Sequence, residues 1–208
     1  RSELLDSLCN IISEETGQLF NSTKIANIYK TVTKNNIDKE TVEQYINYFI
    51  DSFIIKETTR FDIKGNEEIG ALRKYYFVDN GLRNARINFA FEDEGQMLEN
   101  MVYNELTYNG YSVNVGTFDK NEKDKNGKSI RKTYEIDFIA KKNSKKYYIQ
   151  VCADLSSKEV KNREIRPFKA INDSFQKIIV LNKPIEESYD ENGIVIIGIS
   201  DFLLKFIK

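Results

Sequence analysis

Four positions, Glu99, Asp137, Gln150 and Cys152, carry the side chains through which this chain could do chemistry, and what the chain lacks narrows that chemistry first. Its 208 residues contain no histidine, which excludes Ser-His-Asp triads, Cys-His pairs and the common histidine-containing zinc sites. Carboxylate, lysine, tyrosine or cysteine chemistry remains, with an oxygen-ligated metal as the obvious electrophile. Two runs, Tyr134 to Ala140 and Lys146 to Cys152, read as strands separated by the polar turn Lys142-Asn143-Ser144-Lys145. A two-residue turn at Asn143-Ser144 sets Asp137 opposite Gln150 and Glu135 opposite Cys152, all on one face, because side chains alternate along a strand. If the helix bearing Glu99 lies alongside, two or three carboxylates around one point invite magnesium. The plain alternative is a polar row on a wet face.

The elements that must position these residues follow from periodicity. Leu4, Leu5, Leu8, Ile11 and Ile12 recur at helical spacing, and Gly17 closes that run. A second helix starts near Ser22 or Thr23 as N-cap and buries Ile25, Ile28, Tyr29 and Val32. Asp38 caps a third, in which Val42, Tyr45, Ile46, Phe49 and Ile50 form the apolar stripe. A strand around Phe53 to Glu57, a tip at Lys64-Gly65-Asn66 and a strand Lys74 to Val78 complete a winged-helix-like module over residues 1–80. Residues 1–52 hold five basic and eight acidic side chains, so the third helix would be repelled by a phosphate backbone, and a packing or linking role is expected for it. Gly65 to Gly70 matches only the first half of a P-loop. Ala71 and Leu72 stand where lysine and a hydroxyl are needed, so this stretch is a hairpin tip and no ATPase.

Asp79-Asn80-Gly81 is a turn signal that marks the expected boundary, with a second domain over residues 81–208. Beyond Gly95 a helix carries Met97, Leu98, Met101, Val102 and Leu106 to a C-cap at Asn109-Gly110. Tyr111 to Val115 reads as a strand, and the charged, apolar-poor segment Asp119 to Arg131 as a mobile loop. Ser156 with Glu159 forms a capping-box pattern opening a helix that Pro167 ends or bends. Lys177 to Leu181 and Ile194 to Ile197 read as buried strands, and Phe202 to Ile207 as a last amphipathic helix.

The 31 Lys and Arg against 32 Asp and Glu give a net charge of -1, so a polyanion site must be a local basic patch. Cys9 and Cys152 are the only cysteines, and neither sits in a CxxC, which points to a reducing cytoplasm. No apolar run reaches the length of a membrane span, so no membrane partner is expected. A start at Arg1 rather than Met suggests a fragment of a longer protein.

The order helix, three strands, helix, strand, with one acid on the helix and another on the second strand, resembles the PD-(D/E)XK nuclease fold. At motif level, Lys74-Tyr75-Tyr76-Phe77-Val78-Asp79-Asn80-Gly81-Leu82-Arg83-Asn84, Gly95 to Leu106, Glu135-Ile136-Asp137-Phe138 and Tyr148-Ile149-Gln150-Val151-Cys152 resemble the C-terminal region of a family of prokaryotic AAA+-type ATP-binding proteins whose end domain has no assigned function. The resemblance covers nearly the whole chain. It implies an α/β (α+β) architecture: a winged-helix-like module, then a restriction-endonuclease-like αβββαβ domain with an extra strand and a C-terminal helix. It also implies a parent ATPase domain N-terminal to this chain.

Carried onto this sequence, the resemblance makes Glu99 the helix acid and Asp137 the strand acid, the pair that would hold Mg²⁺. Gln150 stands where Glu is expected and Cys152 where Lys is expected. A Gln carbonyl brings no charge to a metal, and a thiol cannot replace an ammonium group. Lys158, Lys161, Arg163 and Arg166 on the following helix offer a migrated cation and a basic track for nucleic acid. Residues 117–150 hold ten basic and five acidic side chains, although the lysines at 141, 142, 145 and 146 also fit a protected hairpin tip. The expectation is a non-catalytic recognition or effector region of an ATP-driven protein, with nucleic acid or a protein as partner and no cofactor or only weakly bound Mg²⁺. The alternatives are a Mg²⁺-dependent DNA phosphodiesterase using Glu99, Asp137 and Gln150, and a protein-interaction scaffold.

Overall fold

The computed structural model describes residues 2–90, 93–123 and 127–207. The fold is mixed α/β. In chain order it runs α1 (Ser2–Glu14), α2 (Ser22–Thr33), α3 (Lys39–Asp51), β1 (Ile55–Asp62), β2 (Glu67–Phe77), α4 (Asn80–Arg86) and α5 (Glu94–Tyr108). It continues with β3 (Ser112–Lys123), β4 (Ser129–Lys142), β5 (Lys145–Cys152), α6 (Lys158–Phe168), β6 (Gln176–Leu181), β7 (Ser188–Tyr189), β8 (Val195–Gly198) and α7 (Ile199–Asp201). The strands order as β2-β1-β3-β4-β5-β6-β8-β7. Two compact units emerge: Arg1–Thr59 with Gly70–Asn104, and Arg60–Ile69 with Glu105–Lys208. The boundary expected at residue 80 lies inside the first of them.

In the first unit, the apolar stripes of α1, α2 and α3 meet in one core around Leu8, Ile12, Ile25, Val42, Ile46 and Phe49. Caps fix where the helices begin. Asp38 accepts from the Thr41 amide at 2.6 Å, a bond that also holds its carboxyl below the usual range. The N-cap of α2 is Asn21, which accepts from the Lys24 amide at 2.9 Å, rather than Ser22 or Thr23. Asn competes as well as Ser for this position, and Ser22 is instead spent on Glu43 at 2.7 Å. Between α1 and α2, Phe20 exchanges both backbone bonds with Arg73 of β2 at 2.9 Å each. Asp79, read from sequence as part of a turn, caps the seven-residue α4 by accepting from the Leu82 amide at 2.7 Å.

In the second unit, β3 and β4 form a long antiparallel pair that reaches Lys123 opposite Ser129. This corrects the mobile loop expected over 119–131, of which residues 124–126 lie outside the described residues. The arm carries little apolar alternation because its cohesion is polar. Asp119 accepts from Thr133 at 2.6 Å and pairs with Arg131, and Glu122 accepts from the Tyr134 hydroxyl. β5 then pairs in parallel with β6, and β6 with β8. Helix α6 starts from Ser157, one residue after the expected Ser156, because the Ser157 hydroxyl accepts from the Val160 amide at 3.1 Å. Pro167 sits in its last turn, where it helps to end the helix, and α6 lays Ile165 and Phe168 onto Ile136, Ile139 and Tyr148 of the sheet. At the C-terminus, α7 passes into a π-helical turn over Phe202–Phe206 instead of one continuous amphipathic helix.

Candidate functional site

The β4–β5 ladder has the register expected of an Asn143-Ser144 turn, with Lys142 opposite Lys145 and each rung following in step to Phe138 opposite Ile149. Asn143 supplies the left-handed residue of that turn, φ 54°. The ladder stops one rung before Asp137 and Gln150, and their side chains replace the missing backbone bonds. The Asp137 amide donates to Gln150 Oε1 at 2.8 Å, and the Val151 amide donates to Asp137 Oδ2 at 2.7 Å. The two residues therefore bridge a fork where the strands separate. Each orphaned backbone donor receives a side-chain oxygen.

A cleft of about 570 Å³ opens at the fork between β4, β5 and α6, lined by Tyr134, Asp137, Gln150, Arg163, Glu164 and Arg166 among others. Gln150 is only 5% exposed. Its amide donates to Glu164 Oε2 at 3.3 Å, and Glu164 Oε1 accepts from Arg163 Nε at 2.8 Å. Glu164, not singled out from sequence, is thus a buried carboxylate of this site. Its position on the inward face of α6, next to Ile165 and one turn before Phe168, is the signal that marks it. Arg166 pairs with Glu122 and lies 5.5 Å from the Tyr134 ring centroid. Lys158 and Lys161 are exposed on α6 and do not line the cleft. Cys152 lies one position beyond Val151. Its thiol donates to the Asp154 carbonyl at 2.9 Å, and burial pushes its ionisation up, so it is a neutral, packed group.

Glu99 belongs to the first unit, on α5, and its partners there are fully specified. Its Oε1 accepts from Lys74 Nζ at 3.0 Å and from the Tyr76 hydroxyl at 2.6 Å. Lys74 is 4% exposed, so this is a buried ion pair completed by a phenol. The side-chain amide nitrogens of neighbouring motif residues are occupied as well. Asn100 and Asn104 both donate to the Phe77 carbonyl at 2.8 Å. Buried Arg83 donates to the Ser13 carbonyl at 3.0 Å, to Asn84 at 3.0 Å and to Gln96 at 2.9 Å, tying α1, α4 and α5 together. The long motif around residues 74–106 is a hydrogen-bonded clamp, and sequence reasoning missed Arg83 because its function is packing.

Magnesium prefers several oxygen ligands turned toward open space. Here one oxygen of Asp137 and the carbonyl of Gln150 face backbone amides, and Glu164 is held by Gln150 and Arg163. Among the described residues no group of three acidic or thiol side chains is placed to hold a metal. The cleft residues of the second unit do not fit the ion.

Residues 1–93 match the family model of a domain of unknown function, DUF8612. An uncharacterized protein of Haemophilus influenzae is 30% identical over 206 residues, which is 98% of this chain and 46% of that protein. An uncharacterized protein of Methanocaldococcus jannaschii is 33% identical over 151 residues, 72% of this chain and 31% of that protein. No solved structure matches. No helix among the described residues is long and apolar enough to cross a membrane. The chain spans about half the length of the first of these curated relatives and about a third of the second.

Proposed function

We propose that this chain is a non-catalytic recognition region of a longer, ATP-driven protein, a winged-helix-like module joined to a nuclease-like domain that binds without cutting. The observation that carries the reading is the fork. Asp137 and Gln150, the residues that would have to serve a metal, are committed to the Val151 and Asp137 amides. Two of the cleft cations are paired as well, Arg163 with Glu164 and Arg166 with Glu122, while Lys132 lies over the Tyr134 ring. A metal-dependent phosphodiesterase needs its ion held where it can polarise the phosphate and activate water.

Three helices followed by the β1–β2 hairpin, with the short bridge at Phe20, support the winged-helix part of the reading. The order α5, β3, β4, β5, α6, β6 supports the nuclease-like part. The greater length of the curated relatives supports a larger parent, and two free, buried cysteines support a cytoplasmic one. The test is a plasmid-cleavage assay with Mg²⁺ and with Mn²⁺, using wild type and Asp137→Ala. The reading expects no cleavage that depends on Asp137. Metal-dependent cleavage abolished by the substitution would overturn it in favour of a phosphodiesterase.

A further inference from the structure

The other end of the same two strands poses a different problem. Lys141 stands opposite Lys146 and Lys142 opposite Lys145, two consecutive rungs of like charge. Directly opposed like charges in a ladder are destabilising. Edge protection, the reason sequence alone suggested for these lysines, does not apply, because β4 and β5 are interior strands flanked by β3 and β6. None of the four makes an ion pair among the described residues. Asp173, the acid that acts on Lys146, also approaches Lys177 at 4.0 Å and accepts from the Tyr148 hydroxyl at 2.6 Å.

Aromatic rings lie against three of the four ammonium groups, on both faces of the sheet. Lys141 Nζ lies 3.8 Å from the Phe61 centroid, and Lys146 Nζ lies 4.8 Å from Tyr148 and 4.7 Å from Phe175. On the opposite face Lys142 Nζ lies 5.3 Å from Tyr111. Such contacts orient a cation without neutralising it. Arg163 and Arg166 of the α6 cleft, by contrast, already have their carboxylates.

We infer that the tip of the β4–β5 hairpin, through Lys141, Lys142, Lys145 and Lys146, is a binding surface for the phosphate backbone of duplex nucleic acid. This rests on the reading above that the domain binds without cutting, and it moves the contact from the cleft to the hairpin tip. Positive charge on both faces of the hairpin tip suits a tip set between two lines of phosphates, as in a groove of the duplex. A flat anionic lipid surface would meet only the turn. A backbone contact of this kind is indifferent to base sequence.

The test is fluorescence anisotropy of a duplex of about 20 base pairs in EDTA, titrated with the whole chain from about 50 to about 200 mM salt. Four phosphate contacts predict a loss of affinity on the order of a hundredfold over that range. Lys142→Gln with Lys145→Gln should lower the slope of log K against log salt by about two, whereas Lys158→Gln with Lys161→Gln on α6 should leave it unchanged. A circular-dichroism melt of the tip variant, expected to be no less stable than wild type, shows that lost binding is not lost folding. Three results overturn the inference: binding unaffected by the tip substitutions, binding lost through the α6 pair instead, or binding to phosphatidylserine vesicles with none to duplex. Duplex binding that depends on the tip, together with Asp137-dependent cleavage in Mn²⁺, would keep this surface and remove the non-catalytic reading.

Discussion

Glu99 and Asp137, the two acids expected from sequence to share one ion, sit in different kinds of surroundings. Glu99 is neutralised by a buried ammonium and a phenol of its own unit, a closed set in which charge balances charge. Asp137 borders an open cleft and accepts from a backbone amide that the ladder leaves unpaired where two strands part company. The first acid stabilises an interior; the second repairs a sheet. A sequence motif that names both as acids of one site cannot distinguish these roles, because carboxylates that pair with lysine, cap an amide or bind a cation look identical in one dimension.

That contrast orders the substitutions by cost. Glu99→Ala leaves the Lys74 ammonium buried without its carboxylate and should destabilise the chain by about 3–5 kcal/mol, measured by urea unfolding. Replacing Lys74 and Glu99 together by Met and Leu should recover most of that loss, and a failure to recover would mean that Glu99 does more than balance Lys74. Arg83→Ala removes three bonds from a buried guanidinium and should cost about 2–4 kcal/mol in the same assay. Asp137→Ala orphans the Val151 amide and should cost about 1–3 kcal/mol, while Asp137→Asn, which keeps an acceptor oxygen, should cost less.

The smallest effect is a pH dependence next to the fork. Lys183 and Ser156 hold the exposed Asp154 carboxyl down to about 2, from an ordinary 3.8. A depressed acid contributes stability that is complete above its unfolded-state value and is lost as the pH falls toward its folded one. Asp154→Asn should therefore lose a small contribution at neutrality and flatten the acid limb of the stability profile between about pH 4 and about pH 2, where wild type loses the same contribution. A difference at pH 7 as large as that of Asp137→Ala would show that Asp154 supports the fork itself.

Helices α1, α2 and α3 were legible because each carries a strong apolar stripe, and the β4–β5 register was legible because one turn fixes every rung. The β3–β4 arm was not, since Asp119 with Arg131 and Glu122 with Tyr134 are cross-strand pairs that leave no alternation to read. Helix α4 hid behind Asp79-Asn80-Gly81, where a capping Asp and a turn Asp have the same neighbours. Glu164 hid in the amphipathic pattern of α6, where a single acid on the apolar face reads as a lapse until the opposing Gln150 is known. The ladder predicted that Asp137 and Gln150 would face one another. It could not predict that they do so beyond its last rung, each bonded to backbone.

Thermal unfolding of wild type, Asp137→Asn and Asp137→Ala, each with and without millimolar Mn²⁺, probes the role of Asp137 most directly. A structural Asp137 gives a graded loss of midpoint, small for Asn and larger for Ala, that the metal leaves untouched in all three proteins. A wild-type midpoint raised by Mn²⁺, with the rise abolished in both variants, would contradict the account and return Asp137 to a metal site.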